Sequence, residues 1–216
     1  MNKIKILMIC LLITSSLLVS QDLTVKDGIT LDFSCGGATL NYNSITVETG
    51  GKLYICNRIV NCSTLIINGY VELDEASLNC SGSATVKGTL QAGNSTLSFN
   101  GITINKRLEM QPGTTLNSKS IAIVGVDATF ETSGTSSARN NVNISNYGEL
   151  AVSGFLNGKY TTFTFGTRSQ CKITSKLERI YMDEYNHMYW SVKVAGTTYT
   201  YNTYNSVFQG NGEKGS

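Results

Sequence analysis

Features of unlike chemistry recur in this chain at one offset of nineteen residues, and that recurrence restricts the fold more than any local propensity does. Gly69 recurs as Gly88, Gly82 as Gly101, Leu78 as Leu97 and then Leu116, Ile67 as Val86, and Ile104 as Ile123. A fixed period of this length marks stacked supersecondary units rather than one irregular domain. The successive units are "STLIINGYVELDEASLNCSG", "SATVKGTLQAGNSTLSFNG", "ITINKRLEMQPGTTLNSKS" and "IAIVGVDATFETSGTSSARNN", followed by "VNISNYGELAVSG".

Inside each unit the apolar residues alternate, as in Leu65/Ile67, Val71/Leu73, Ala84/Val86, Ile102/Ile104, Leu108/Met110, Ile121/Ile123 and Val142/Ile144. A period of two means half-buried strands, and the Gly, Asn and Ser clusters between them supply turns. Strands of about four residues cannot bury an apolar face alone, but stacking each turn on an equivalent one about 4.8 Å away does bury it. The spacing therefore predicts an all-β right-handed parallel β-helix, or a related β-solenoid. An antiparallel β-sandwich also suits short strands with frequent turns, but it does not predict recurrence at a fixed offset.

Residues 40 to 155, in "ATVKGTLQAGNSTLSFNG" and "ITINKRLEMQPGTTL", resemble the repeats of secreted bacterial adhesins of the filamentous-haemagglutinin and autotransporter type. The resemblance is one of repeat style, alternating Val, Ile and Leu with Gly or Asn corners, and it implies a parallel β-helix fold much more than a task.

The first twenty residues, "MNKIKILMICLLITSSLLVS", place Lys3 and Lys5 ahead of an apolar run and end on a small residue. That is the pattern of a secretory signal peptide cleaved near Ser20. The run is short for a membrane span, which needs about 20 apolar residues, and Thr14, Ser15 and Ser16 interrupt it. The expected mature product is secreted or at the cell surface, with no transmembrane segment after cleavage. A solenoid is expected over 21–159 and an aromatic-rich cap over 160–208, with a tail over 209–216. The cap region holds the single tryptophan. Within it, "KLERIYMDEYNHMY" suggests a short helix, and "YWSVKV" and "TTYTYNTY" suggest a hairpin around Ala195 and Gly196.

Cys10 leaves with the leader, so an oxidising destination makes disulfides the expected state of Cys35, Cys56, Cys62, Cys80 and Cys171. Cys62 and Cys80 lie eighteen residues apart and Cys35 and Cys56 twenty-one, each about one coil. Residues stacked on adjacent coils fall within the Cα separation that a disulfide accepts. The expected pairs are Cys62 with Cys80 and Cys35 with Cys56, leaving Cys171 as a free thiol. Cys171 or the solenoid end would then serve for homo-oligomer formation. No CxxC occurs and His187 is the only histidine, so no metal site is expected.

A net charge of +2 without a polybasic run argues against a nucleic-acid partner. Walker, dinucleotide and HExxH motifs are absent from the sequence, and no cofactor is expected. A glycoside hydrolase needs two facing carboxylates. Glu72, Asp74 and Glu75 form the densest acidic group, but the positions nineteen residues on are Gln91, Gly93 and Asn94. Arg107 and Glu109 alternate on an outer face with little company. Asp183, Glu184, His187 and Trp190 mix acids with an imidazole, yet no nucleophile is spaced to join them. No catalytic residue is assigned.

Trp190, Tyr185, Tyr189 and Tyr201 are candidates for stacking on a ligand. Asn61, Asn79, Asn94 and Asn143 each begin an N-glycosylation sequon. The functional expectation is a structural, adhesive or ligand-binding solenoid that meets an extracellular protein or glycan. The ectodomain of a cell-surface receptor is the first alternative, and a polysaccharide lyase or hydrolase on a β-helix scaffold the second.

Overall fold

The computed structural model describes residues 21–33, 37–125, 127–158, 161–166, 169–173, 181–182 and 199–202. They form a parallel β-solenoid of about seven turns, with no helix among them. The expected fold class is therefore the observed one.

Two sheets wrap the solenoid. The first contains β1 (Gln21–Val25), β3 (Leu40–Val47), β5 (Ile59–Ile67), β7 (Ser77–Val86), β9 (Thr96–Ile104), β11 (Thr115–Ile123) and β13 (Asn140–Val152), in that order. The second contains β2 (Thr30–Phe33), β4 (Lys52–Cys56), β6 (Tyr70–Asp74), β8 (Thr89–Gly93), β10 (Arg107–Met110), β12 (Thr129–Thr132) and β14 (Phe155–Gly158). Neighbours in both series run parallel, as coils stacked in register must.

After β14 the coil continues. β15 (Thr161–Phe165) and β16 (Gln170–Ile173) pair parallel with the two halves of β13, and β17 (Tyr181–Met182) pairs with β14. β18 (Tyr199–Asn202) runs antiparallel to β16, so the first sheet ends on a strand of opposite direction. Tyr181 and Met182, inside the segment read as a short helix, are thus in a strand; pairing to β14 prevails there over local helical spacing. The hairpin expected around Ala195 and Gly196 lies outside the described residues, as do Asp183, Glu184 and His187.

Period-two alternation explains the core. Val71, Leu90, Leu108, Phe130 and Leu156 stack as one interior row of the second sheet, and Leu78, Leu97, Leu116 and Val142 as one of the first. Each is essentially inaccessible to solvent. Like stacks on like because a parallel in-register ladder puts equivalent side chains one strand spacing apart, about 4.8 Å.

The long strands of the first sheet bend once. In β5 the burial alternation breaks at the exposed Ser63 and resumes at Leu65, and β7 breaks likewise over Ser81, Gly82 and Ser83. The bend splits that sheet into two faces, so each coil has three walls. At the bend the strict nineteen-residue rule fails: Ser83, not Gly82, is the partner of Gly101, because the ladder shifts between Cys80 and Ser83. The period also drifts along the second sheet. It is nineteen residues from Val71 to Leu90, eighteen to Leu108, twenty-two to Phe130 and twenty-six to Leu156. The twenty-two-residue coil places most of its extra length between β11 and β12, and the twenty-six-residue coil in the turn from Ser133 to Arg139 and at the bend of β13, where Tyr147 has a φ of 57°.

A second corner follows the second-sheet strands. Asn57, Glu75, Asn94 and Gly113 all have positive φ, at 49°, 50°, 44° and 79°. The backbone N–H of each of the first three donates to a carbonyl of the next coil: Asn57 to Asp74, Glu75 to Gly93 and Asn94 to Pro112. One left-handed residue per coil lets the chain turn sharply while its amide keeps a stacking partner.

Candidate functional site

The outward positions of the first wall carry a row of amides. Asn41, Asn61, Asn79, Ser98, Asn117 and Asn143 are successive partners across β3, β5, β7, β9, β11 and β13. Asn61 Nδ2 donates to Asn41 Oδ1 at 2.8 Å, Asn79 Nδ2 to Asn61 Oδ1 at 2.9 Å, and Asn143 Nδ2 to Asn117 Oδ1 at 2.8 Å. Each link has the same sense, so the side-chain dipoles align along the solenoid axis. Ser98 interrupts the row at its middle.

Beside this row the bend in the first sheet opens a groove of about 510 Å³. The row from Asn41 to Asn117 forms one side. Ser63, Ser81, Asn100 and Ser145 line it at the bend, and Tyr42, Cys62, Cys80, Phe99 and Ser118 contribute from the next positions along the strands. None of the lining residues is Asp, Glu, Lys, Arg or His. The wall is made of amides, hydroxyls, two thiols and two aromatic rings. A second hollow of about 590 Å³ lies on the other side of the bend, lined by residues including Thr85, Thr103, Lys119 and Glu149. That hollow contains charges of both signs.

Tyr42, Cys62, Cys80, Phe99 and Ser118 form one register row of their own. Cys62 and Cys80 are therefore Cα partners on adjacent coils, as the eighteen-residue spacing implies, and both are buried, at 5% and 2% exposure. They are free thiols, and no bond joins them in this structure. Cys80 Sγ lies 3.5 Å from the Ser63 carbonyl oxygen and 3.4 Å from that of Ser83. Its acidity is raised, so that its pKa falls to about 7. A hydrogen bond from Cys62 is the first cause, burial opposes it, and the backbone N–H groups of Gly82 and Leu65 add to it. The nearby carbonyls favour the thiol form, but S–H is a weak donor, while donors to a thiolate are charge-assisted. Cys62, which keeps the shared proton, is pushed far above the usual thiol range by that same hydrogen bond and by burial.

Cys56 is also a free thiol, half-buried in β4 opposite Asp74, while Cys35 lies outside the described residues. Cys171 occupies β16 as the backbone partner of Tyr201. Trp190, Tyr185 and Tyr189 lie outside the described residues.

Glu72, Asp74, Glu109 and Glu131 sit on the third wall, formed by the second sheet. Glu72 is in register with Gln91, Gln91 with Glu109, and Glu109 with Glu131. Arg107 has more company than its sequence neighbours suggest, because the twenty-two-residue coil brings Glu131 alongside: one guanidinium nitrogen lies 3.0 Å from both Glu109 and Glu131. The Tyr70 hydroxyl donates to Glu72 at 2.8 Å and lies 2.8 Å from Gln91 Oε1. Burial, followed by that hydrogen bond to Glu72, raises the Tyr70 pKa well above the ordinary phenol value. Asp74 is exposed, and Glu75 occupies the left-handed corner rather than facing Glu72 across a cleft. The three acids read together in sequence thus have three different surroundings.

The sequons divide in the same way. Asn61, Asn79 and Asn143 spend their side-chain amides in the ladder. Asn94 is exposed at the left-handed corner, with the following Ser95 hydroxyl buried against the Gly93 carbonyl. The amide row was not singled out from the sequence, although the succession Asn61, Asn79, Ser98, Asn117 at offsets of eighteen, nineteen and nineteen is its signal. Among the described residues no group of three or more His, Cys, Asp or Glu is arranged to hold a metal ion.

Comparison with protein-family models, curated proteins and solved structures gives no match for this chain.

Proposed function

We propose that this chain is a non-enzymatic β-solenoid presented outside the cell, with an adhesive or ligand-binding role, and that it holds a neutral glycan along the amide-lined groove. The observation that carries this reading is the composition of the groove wall, where amides and hydroxyls are repeated on successive coils without an Asp, Glu, Lys, Arg or His. Such a wall offers little to a polyanion, which is bound chiefly through Lys and Arg. It suits a ligand that is uncharged, extended and rich in hydroxyls, because each coil presents a donor and an acceptor at the same height. Half-buried Tyr42 supplies apolar ring surface of the kind that packs on a sugar face.

Export rests on the basic-then-apolar leader and on the repeat style shared with secreted adhesins. The carboxylates of the third wall favour the non-enzymatic reading. Glu109 and Glu131 share Arg107, and Glu72 accepts from Tyr70. Such pairing holds surface acids in ion pairs and hydrogen bonds rather than leaving two of them facing a substrate.

The test is an array of neutral and acidic glycans and extracellular-matrix proteins, probed with the mature chain and with Ser98→Arg. This substitution places a long cation in the middle of the groove while leaving the core unchanged. Binding to neutral glycans that falls at least tenfold in Ser98→Arg supports the proposal. Binding to acidic glycans or proteins only, or equal binding by the two chains, contradicts it.

A further inference from the structure

The two thiols beneath the groove have a chemistry that ligand binding does not use. Cys62 and Cys80 are register partners on adjacent coils, flanked in the same row by Tyr42 on one side and Phe99 on the other. The flanking rings separate the pair from other thiols, so each has the other as its in-register sulfur. Parallel rungs stand about 4.8 Å apart, inside the Cα range of a disulfide, but straight rungs hold the Cβ atoms somewhat wider than the 3.5–4.5 Å it takes. Immediately after the pair the ladder shifts register, with Leu65 pairing to Ala84, so β7 has one extra residue there. The extra stretch is Ser81, Gly82 and Ser83, and the glycine keeps that backbone adjustable. Among the described residues, the place where two thiols stack is thus also a place where the rungs can draw together.

We propose that Cys62 and Cys80 are a peroxide-oxidisable pair that closes into a disulfide, stapling two adjacent coils under the groove. Both cysteines line the groove, through which a small oxidant can approach them. The Cys80 thiolate attacks one peroxide oxygen, the O–O bond breaks, and hydroxide leaves as Cys80 becomes a sulfenic acid. Cys62 then attacks the Cys80 sulfur, a water leaves, and the S–S bond forms. In total two thiols lose two electrons and two protons, and one peroxide becomes two waters. Cys80 acts first because the hydrogen bond from Cys62 and the Gly82 and Leu65 amides stabilise its thiolate. Tyr42, the titratable residue in register on the Cys62 side, is held neutral well beyond physiological pH, chiefly by burial and against the charge of Arg58.

The experiment treats the reduced full-length mature chain with stoichiometric hydrogen peroxide between pH 6 and 9, followed by peptide mapping. The expected result is a Cys62–Cys80 cross-link as the dominant product, formed at a rate that already levels off near neutral pH. In Cys62→Ser the reaction stops at a sulfenic acid on Cys80, captured by a 1,3-diketone probe. In Cys80→Ser, Cys62 gives at least tenfold less trapped product. Closing a loop of this length in a chain of this size should raise the thermal midpoint of the oxidised protein by about 6–12 °C over the reduced one. A cross-link from Cys56 or Cys171 to either residue as the main product would overturn the proposal. So would recovery of both thiols intact while Cys56 is oxidised. The wild-type map decides the matter even if either serine variant fails to fold.

Discussion

The Asn79 side-chain amide donates to the Asn61 side-chain oxygen across 2.9 Å, from one coil to the next, outside the core. The bond joins two residues eighteen positions apart, and its equivalents recur from Asn61 to Asn41 and from Asn143 to Asn117. A hydrogen bond of this kind has a net value of about 0.5–1.5 kcal/mol. Asn79→Ala should therefore lower stability by about 1 kcal/mol, measured as a fall in the urea midpoint at unchanged m-value. The Asn61→Ala and Asn79→Ala double variant should lose less than the sum of the single losses, since one bond is shared.

Glu75 occupies a left-handed corner at a φ of 50°, where the coils above and below have Asn94 and Asn57. Asparagine tolerates that conformation better than glutamate does, and a left-handed residue costs about 1–2 kcal/mol for side chains without that tolerance. Glu75→Asn should raise stability by up to about 1 kcal/mol, read from the denaturant midpoint. A carboxylate needed for function would instead show itself as lost binding at preserved stability.

Gly88 lies directly on the turn of the preceding coil. A Cβ there would fall 2.0 Å from the Gly69 carbonyl oxygen and 2.6 Å from that of Asn68. The Gly69 oxygen cannot move freely, because it accepts from Thr89 N at 2.9 Å. Gly88→Ala should cost about 1–3 kcal/mol by overpacking. The adjacent, exposed Lys87→Ala should stay within about 0.5 kcal/mol of the parent.

Alkaline stability has a definite sign. The Tyr70 phenol has a folded pKa above its unfolded value of about 10, so it is neutral in both states at pH 7 and contributes no pH dependence there. As pH rises through about 10 the unfolded chain gives up this proton first, the folded state binds more protons, and stability falls. Urea midpoints at pH 8, 10 and 11 should decline for the parent and decline less for Tyr70→Phe. Tyr42, shifted in the same direction by burial, leaves a residual slope in that variant.

The fold was legible because its determinants are periodic. Leu78, Leu97 and Leu116 occupy one interior row at the offset the sequence displays, and the alternation of Leu65 with Ile67 and of Val71 with Leu73 marks which side chains point inward. The bend was not legible. Gly82 and Gly101 keep the period in sequence, yet Ser83 takes the partnership because the extra residue is absorbed locally at the bulge. The groove depends on that bend, so its position was hidden as well, although the asparagines that line it repeat openly. Glu131 was missed as a partner of Arg107 for a related reason: the coil between them is twenty-two residues long, and a nineteen-residue ruler points elsewhere.

The proposed groove extends over six rungs, from Asn41 to the coil of Asn143 and Ser145, a span of roughly 24 Å at the usual strand spacing. The most direct measurement is calorimetric titration of the mature chain with neutral oligosaccharides of increasing length, chosen from the glycan class that it binds on the array. Affinity should rise with each added sugar until the ligand spans the groove and then level off, and Ser98→Arg should abolish the dependence on length. Affinity independent of length, or a length dependence that survives Ser98→Arg, would contradict the account.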